Sequence, residues 1–214
     1  MSVWKQLSAR LASTGRQCVY CGREIPAKAA LCAACAQDEQ KCYAGAESGG
    51  IPHVFRYEGV VRALILKLKY DDRKDLAVFA AARMFRYCTL HGLRADVVTY
   101  VPVHKNRLKA RGFDQSACIA RELARLLGVP CETLLVRVKD TKPQFDLSPG
   151  ERRENMKEAF RLAGKESGFA GKRVLVVDDI YTTGTTMQAC LACLSHAEAV
   201  PFVLSKEYEN TEND

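Results

Sequence analysis

No stretch of this sequence approaches the roughly 18 to 20 consecutive apolar residues that a membrane-spanning helix needs. Its first residues also lack the apolar run of a secretory signal, so the expectation is a chain without membrane insertion that works in the cytoplasm. No histidine lies between the four cysteines at 18 to 35, and no lysine follows Gly184 where a P-loop would place one. Charge is not strongly one-sided: 32 Lys and Arg against 25 Asp and Glu leave +7. That balance is modest for a dedicated nucleic-acid binder and equally suits an enzyme acting on polyanions such as phosphate esters. With 214 residues, 48% hydrophobic and 27% charged, the chain can bury a full core, and one main domain plus a small module fits.

What the chain does hold is organised around a stretch near its C-terminal end. Val174 to Val177 are four consecutive aliphatics, which predicts a strand buried on both faces of a parallel sheet. Asp178 and Asp179 follow where that strand should surface, then come Thr182, Thr183, Gly184, Thr185 and Thr186, and a helical pattern from Met187 to Leu194. In an open α/β sheet such a loop sits at the carboxyl ends of the strands, where its amides and the helix N-terminus can hold a phosphate. Two acids beside a threonine-rich phosphate loop suit a phosphorylated sugar, because carboxylates accept hydrogen bonds from vicinal hydroxyls.

At the other end, Cys18, Cys21, Cys32 and Cys35 form a C-x2-C-x10-C-x2-C pattern. Two such knuckles satisfy tetrahedral zinc with four thiolates, and a closed set of this kind reads as structural rather than catalytic. Gly22 suits the tight turn after the first knuckle, and Cys42, separated from the last pair by six residues, is the outsider. Ten cysteines could mean disulfides in a small secreted chain, but four at metal-ligand spacing fit a reducing compartment. Cys190 and Cys193 repeat the spacing inside a helical pattern among Ala and Leu, where core packing is the better reading.

Between these ends the pattern alternates. Val3, Trp4, Leu7 and Leu11 predict a short docking helix, with a basic aromatic arm as the rival reading, and residues 44–51 read as a linker. A strand is expected over 53–57, helices over 60–70 and 76–87, with the acids of 71–75 available as caps. Another strand over 96–101 ends at Pro102, and 131–138 is open to a further one. After Pro102, His104, Lys105, Arg107, Lys109 and Arg111 make an anion-receiving loop. A strongly amphipathic helix follows over 116–127, stopped by Gly128 and Pro130. Residues 139–155 are polar and aperiodic, a long loop of the kind expected of a lid or of a solvated linker. A last strand is expected over 200–204, with a polar tail from 206.

The segment Val174 to Thr186 resembles the phosphoribosyl-pyrophosphate (PRPP) signature of type I phosphoribosyltransferases. The double CxxC, the segment Arg56 to Tyr70, Arg-Gly-Phe-Asp-Gln at 111–115, and Pro143-Gln144 followed by Arg152 and Asn155 narrow the likeness to the ComF family over about residues 16–205. Asp114 departs from the asparagine more often expected there.

The resemblance implies an α/β fold: a type I phosphoribosyltransferase-like core with a mainly parallel sheet over 51–205, a four-cysteine zinc module over 1–45, and a tail over 206–214. It implies that Thr182 to Thr186 bind the 5-phosphate of PRPP, Asp178 and Asp179 the ribose hydroxyls, and Val103, His104, Lys105 and Arg107 the pyrophosphate. Magnesium would accompany PRPP, held mostly by substrate and water, and the loop carrying Lys142 and Gln144 would close over the reactants. Family membership further implies a role in natural competence, handling incoming single-stranded DNA with DNA-uptake or recombination proteins. The alternative is a metabolic phosphoribosyltransferase acting on a base or amine.

Overall fold

A computed structural model describes residues 17–26, 29–45, 50–140, 158–164 and 168–208. The expected N-terminal helix, Lys142, Gln144, Arg152 and Asn155 lie outside the described residues, as does half of the linker, residues 46–49. The elements in chain order are α1 (Ala33–Lys41), β1 (His53–Arg56), α2 (Gly59–Tyr70), α3 (Leu76–His91), β2 (Val97–Tyr100) and α4 (Lys105–Arg111). They continue with α5 (Gln115–Leu127), β3 (Leu135–Arg137), β4 (Phe160–Leu162), β5 (Arg173–Tyr181), α6 (Thr185–Ala192) and β6 (Glu198–Lys206).

Four strands form one sheet in the order β1-β6-β5-β2, with β1 parallel to β6 and β2 parallel to β5. The chain divides into two compact units. One takes in the described residues up to Leu93, Asp179–Thr182 and the chain from Val203; the other holds Arg94–Asp178 and Thr183–Phe202. Within the second unit, Val174 to Val177 are completely buried, as an unbroken aliphatic run predicts for a central parallel strand. Burial of each such side chain contributes on the order of 1.5–3 kcal/mol. Helix α5 packs against β2 through a buried stripe that includes Ile119, Ala120 and Leu123, and Gly128 ends it in the left-handed conformation at φ 73°.

Several expectations shift. Strand β5 is nine residues long and carries both acids within it rather than after it. Parallel pairing to β2 runs from Val97↔Val174 to Tyr100↔Val177, with the Val101 N–H donating to the Val177 carbonyl at 3.0 Å; beyond it the strand continues on its β6 side, where the Glu207 N–H donates to the Tyr181 carbonyl at 2.8 Å. The expected basic loop is the helix α4, because His104 caps it and Gly112, at φ 79°, closes it. Helix α6 begins at Thr185, two residues before the expected Met187, with Gly184 as its N-cap at φ 78°. Only a glycine adopts that left-handed N-cap without steric cost.

Asp75 stands at the N-cap of α3 without a side-chain capping bond; its carboxylate instead accepts two hydrogen bonds from Arg73 at 2.8 Å. Of the segment 131–138 only Leu135–Arg137 is a strand, and its antiparallel partner β4 has no periodic signal in the sequence. Their pairing, extended by the Val138 N–H donating to Ala159 O at 2.8 Å, ties together the two ends of the long polar loop.

Candidate functional site

The register of β2 on β5 decides what the second unit brings together. Since Tyr100 stands opposite Val177, the chain leaving β2 enters α4 beside the point where β5 reaches Asp178. The cations of α4 and the first acid therefore share the carboxyl-end edge of two neighbouring parallel strands, the usual ligand edge of such sheets.

Each sequence-predicted residue has a distinct setting. Val103 is half-buried, and its N–H donates to Asp114 Oδ2 at 2.9 Å. His104 is 4% exposed; its Nδ1 accepts from the Asn106 N–H at 3.3 Å and lies 3.3 Å from Asp140 Oδ1. Lys105 is exposed and Arg107 half-buried. Asp178 is half-buried, and its Oδ1 accepts from the Ser116 hydroxyl at 2.7 Å. Asp179 is 3% exposed, and its Oδ1 pairs with Lys69 Nζ at 3.1 Å within the first unit. Successive strand residues point to opposite faces, which is why the two neighbouring carboxylates have unrelated partners. Thr182 and Thr183 are exposed, Gly184 is buried, Thr185 and Thr186 are half-buried in the first turn of α6, and the Thr183 and Thr185 hydroxyls lie 3.1 Å apart.

Other members of the site carry no motif and only the structure reveals them. Ser116 is fully buried at the start of α5. Asn106 donates from its side-chain amide to Asp140, whose carboxylate thereby bridges two residues at the start of α4. Arg137 is a mostly buried guanidinium. Burial and then the neighbouring Arg107 charge push its pKa down, while Asp178 and Asp140 pull it back up. A further cation thus adds to the positive field of α4. Arg137 follows Leu135 and Val136 in a weak strand pattern, so no sequence signal separates it from an ordinary surface arginine.

In the first unit Cys18, Cys21, Cys32 and Cys35 form the one group able to hold a metal among the described residues, with all four sulfurs within 4.8 Å of one another. The Cys21 and Cys32 sulfurs are 3.7 Å apart. Metal–sulfur bonds of about 2.3 Å in a tetrahedron give an edge of about 3.8 Å, so the donor set fits such an ion. Burial acts to raise the Cys18 thiol, but the backbone amides of Cys21, Cys32 and Tyr20 outweigh it and bring the pKa down to about 6. Cys32 is also lowered, chiefly by the Cys35 amide, whereas burial and the three neighbouring sulfurs raise Cys35. Gly22 turns the first knuckle at φ 74°, its N–H donating to Cys18 O at 2.9 Å, as its position predicts. Cys42 stands apart, its thiol directed at the carbonyls of Asp38 and Glu58. Cys190 is fully buried, and burial raises its pKa, in keeping with core packing.

Comparison with known proteins identifies relatives of the chain. Residues 114–200 match the phosphoribosyl transferase domain family. Competence protein F of Haemophilus influenzae is 30% identical over 178 residues, covering 79% of this chain and 74% of that protein. DNA utilization protein YhgH of Salmonella typhimurium is 30% identical over 185 residues, covering 79% of this chain and 80% of its own. Competence protein ComFC of Bacillus subtilis is 24% identical over 182 residues, covering 85% and 72% respectively. With a phosphoribosyltransferase-type core, a mainly parallel sheet and an N-terminal four-cysteine cluster, the chain belongs to the ComF family.

Proposed function

We propose that this chain binds PRPP together with magnesium and acts in natural competence, handling incoming single-stranded DNA in the cytoplasm. The observation that carries the reading is the pairing of β2 with β5, which sets a basic segment beside an acid and a threonine-rich turn on one sheet edge. A phosphate loop alone suits many ligands. A sugar carrying hydroxyls and two separate phosphate groups needs all three parts.

In this reading Thr182 to Thr186 receive the 5-phosphate through loop amides and hydroxyls, aided by the N-terminal end of α6. Asp178 and Asp179 are assigned to the ribose hydroxyls, Asp179 only on giving up its pair with Lys69, and Val103, His104, Lys105 and Arg107 belong to the pyrophosphate segment, with Arg137 adding charge. Lys142 and Gln144 belong to the loop that would close over the reactants and exclude water. Magnesium, an oxygen-seeking ion, would be held mostly by substrate and water, with the Asp178 carboxylate at hand as a protein oxygen donor, and would supply charge neutralisation to pyrophosphate. Transfer would replace pyrophosphate at C1 by an acceptor through an oxocarbenium-like state, and no protein nucleophile is required. The ion at the four cysteines is read as structural zinc.

The DNA role draws on the names of the competence and DNA utilization proteins to which the chain is similar. PRPP with magnesium should raise the melting temperature, because a ligand that binds only the folded state stabilises it by mass action. Replacing both Asp178 and Asp179 by Asn should abolish that rise; an undiminished rise would overturn the site. Screening bases, amines and single-stranded oligonucleotides for pyrophosphate release from PRPP would identify the acceptor.

A further inference from the structure

Two residues apart at the start of α5, Asp114 and Ser116 reach in different directions. Asp114 caps the helix: Oδ1 accepts from the Ala117 N–H at 3.0 Å, while Oδ2 accepts from the Val103 N–H at 2.9 Å. Ser116 is fully buried, and its hydroxyl donates to Asp178 Oδ1 at 2.7 Å. One rigid turn therefore grips both the segment entering α4 and the acid of β5. We propose that Asp114 and Ser116 are positioning residues that set the spacing between the pyrophosphate segment and the sugar-binding acid, an inference that rests on the PRPP reading above.

The chemistry of each residue fits its task. Asp114 uses both oxygens as acceptors, one for the helix and one for Val103. An asparagine has only one acceptor oxygen, and its amide nitrogen would face an N–H donor with another. The aspartate thus secures a second backbone contact. The Ser116 hydroxyl donates a charge-assisted hydrogen bond that selects one orientation of the Asp178 carboxylate. Helix α5 is thirteen residues long, and Gln115, Ser116, Ala117 and Ile119 are all buried, so the bracket cannot shift without moving core side chains. In PRPP the hydroxyl-bearing ring carbons and the pyrophosphate-bearing carbon are linked within one ring. A fixed distance between their protein partners is pre-organisation of the kind that small displacements destroy.

The two arms can be read separately by calorimetric titration of the full chain with ribose 5-phosphate and with inorganic pyrophosphate, each with magnesium. Ser116→Ala should weaken ribose 5-phosphate about tenfold while pyrophosphate stays within about twofold, and Ser116→Thr, which keeps the hydroxyl, should restore it. Asp114→Asn should show the opposite preference, losing pyrophosphate about tenfold. A merely structural role would lower the melting temperature and leave the ratio of the two affinities at the wild-type value, and that result in both variants would overturn the inference. If the unmodified chain took up neither ligand, the PRPP reading itself would fall and the inference with it. A chain that binds both, with unchanged ratios in the variants, would sink the positioning role alone.

Discussion

Asp178 and Asp179 are adjacent in sequence yet differ in almost every physical respect. Asp178 is half-buried and held by a neutral hydroxyl, whereas the Asp179 side chain is 5% exposed and paired with the ammonium of Lys69, itself 16% exposed. Removing one partner of a buried pair strands the other charge, at a cost of about 3–5 kcal/mol. Lys69→Met and Asp179→Asn should each lower the urea-unfolding free energy by about 3 kcal/mol, and the double variant should lose far less than the sum. Strictly additive losses would show that the two charges do not interact. Nearby Tyr57 reports the same crowded setting: burial raises its pKa, Lys69 and Arg62 lower it, and Asp179 raises it again. None of this could be read from the doublet, because a run of letters does not say which face of a strand each side chain takes. The acids themselves and the threonine loop were legible, since chemistry of that kind needs those residue types in that order.

At the scale of elements, the cysteine module is held by more than its four thiols. Glu39, 3% exposed on α1, accepts two hydrogen bonds from Arg83 on α3 at 2.8 and 2.9 Å, and Arg83 also lies over the Phe79 ring at 4.0 Å. Bidentate contacts of this kind are among the stronger side-chain pairs. Chelation of the metal, or Cys18→Ser with Cys21→Ser, should release about one ion per chain and speed amide exchange across the two knuckles. The end of α1 at Glu39 should keep its protection unless Arg83→Ala is added. Uniform loss of protection in the chelated wild type would show that the metal alone holds the helix. PRPP binding should survive the cysteine changes, because the proposed site uses none of these residues. The spacing of the cysteines announced the cluster. Glu39 and Arg83 are 44 positions apart, and their pairing follows only from how α1 and α3 lie in the first unit.

For the whole molecule, the excess of seven positive charges favours polyanionic partners without specifying one. If the chain grips single strands through phosphate contacts, the logarithm of the binding constant should fall linearly with log salt, at about 0.7 per contact. Fluorescence anisotropy with a labelled oligonucleotide from low to moderate salt measures that slope. A flat response would remove the electrostatic basis of the DNA role.

Local composition alone determined that there would be a buried strand at 174–177, an acidic edge, a phosphate-type turn, a basic segment after the 97–100 strand and a four-thiol module. Short-range physics sets each of these: unbroken aliphatic runs bury, glycine permits the turn, and paired thiols gather a soft ion. Tertiary structure alone decided that β5 carries its acids within the strand, that the basic segment winds into α4, that Lys69 meets Asp179 inside the first unit, and that Ser116, Arg137 and Asp140 meet charged residues inside the second. Those outcomes depend on strand register, on helix packing and on contacts between residues as many as 110 positions apart (Lys69 to Asp179), distances over which a sequence pattern carries no signal.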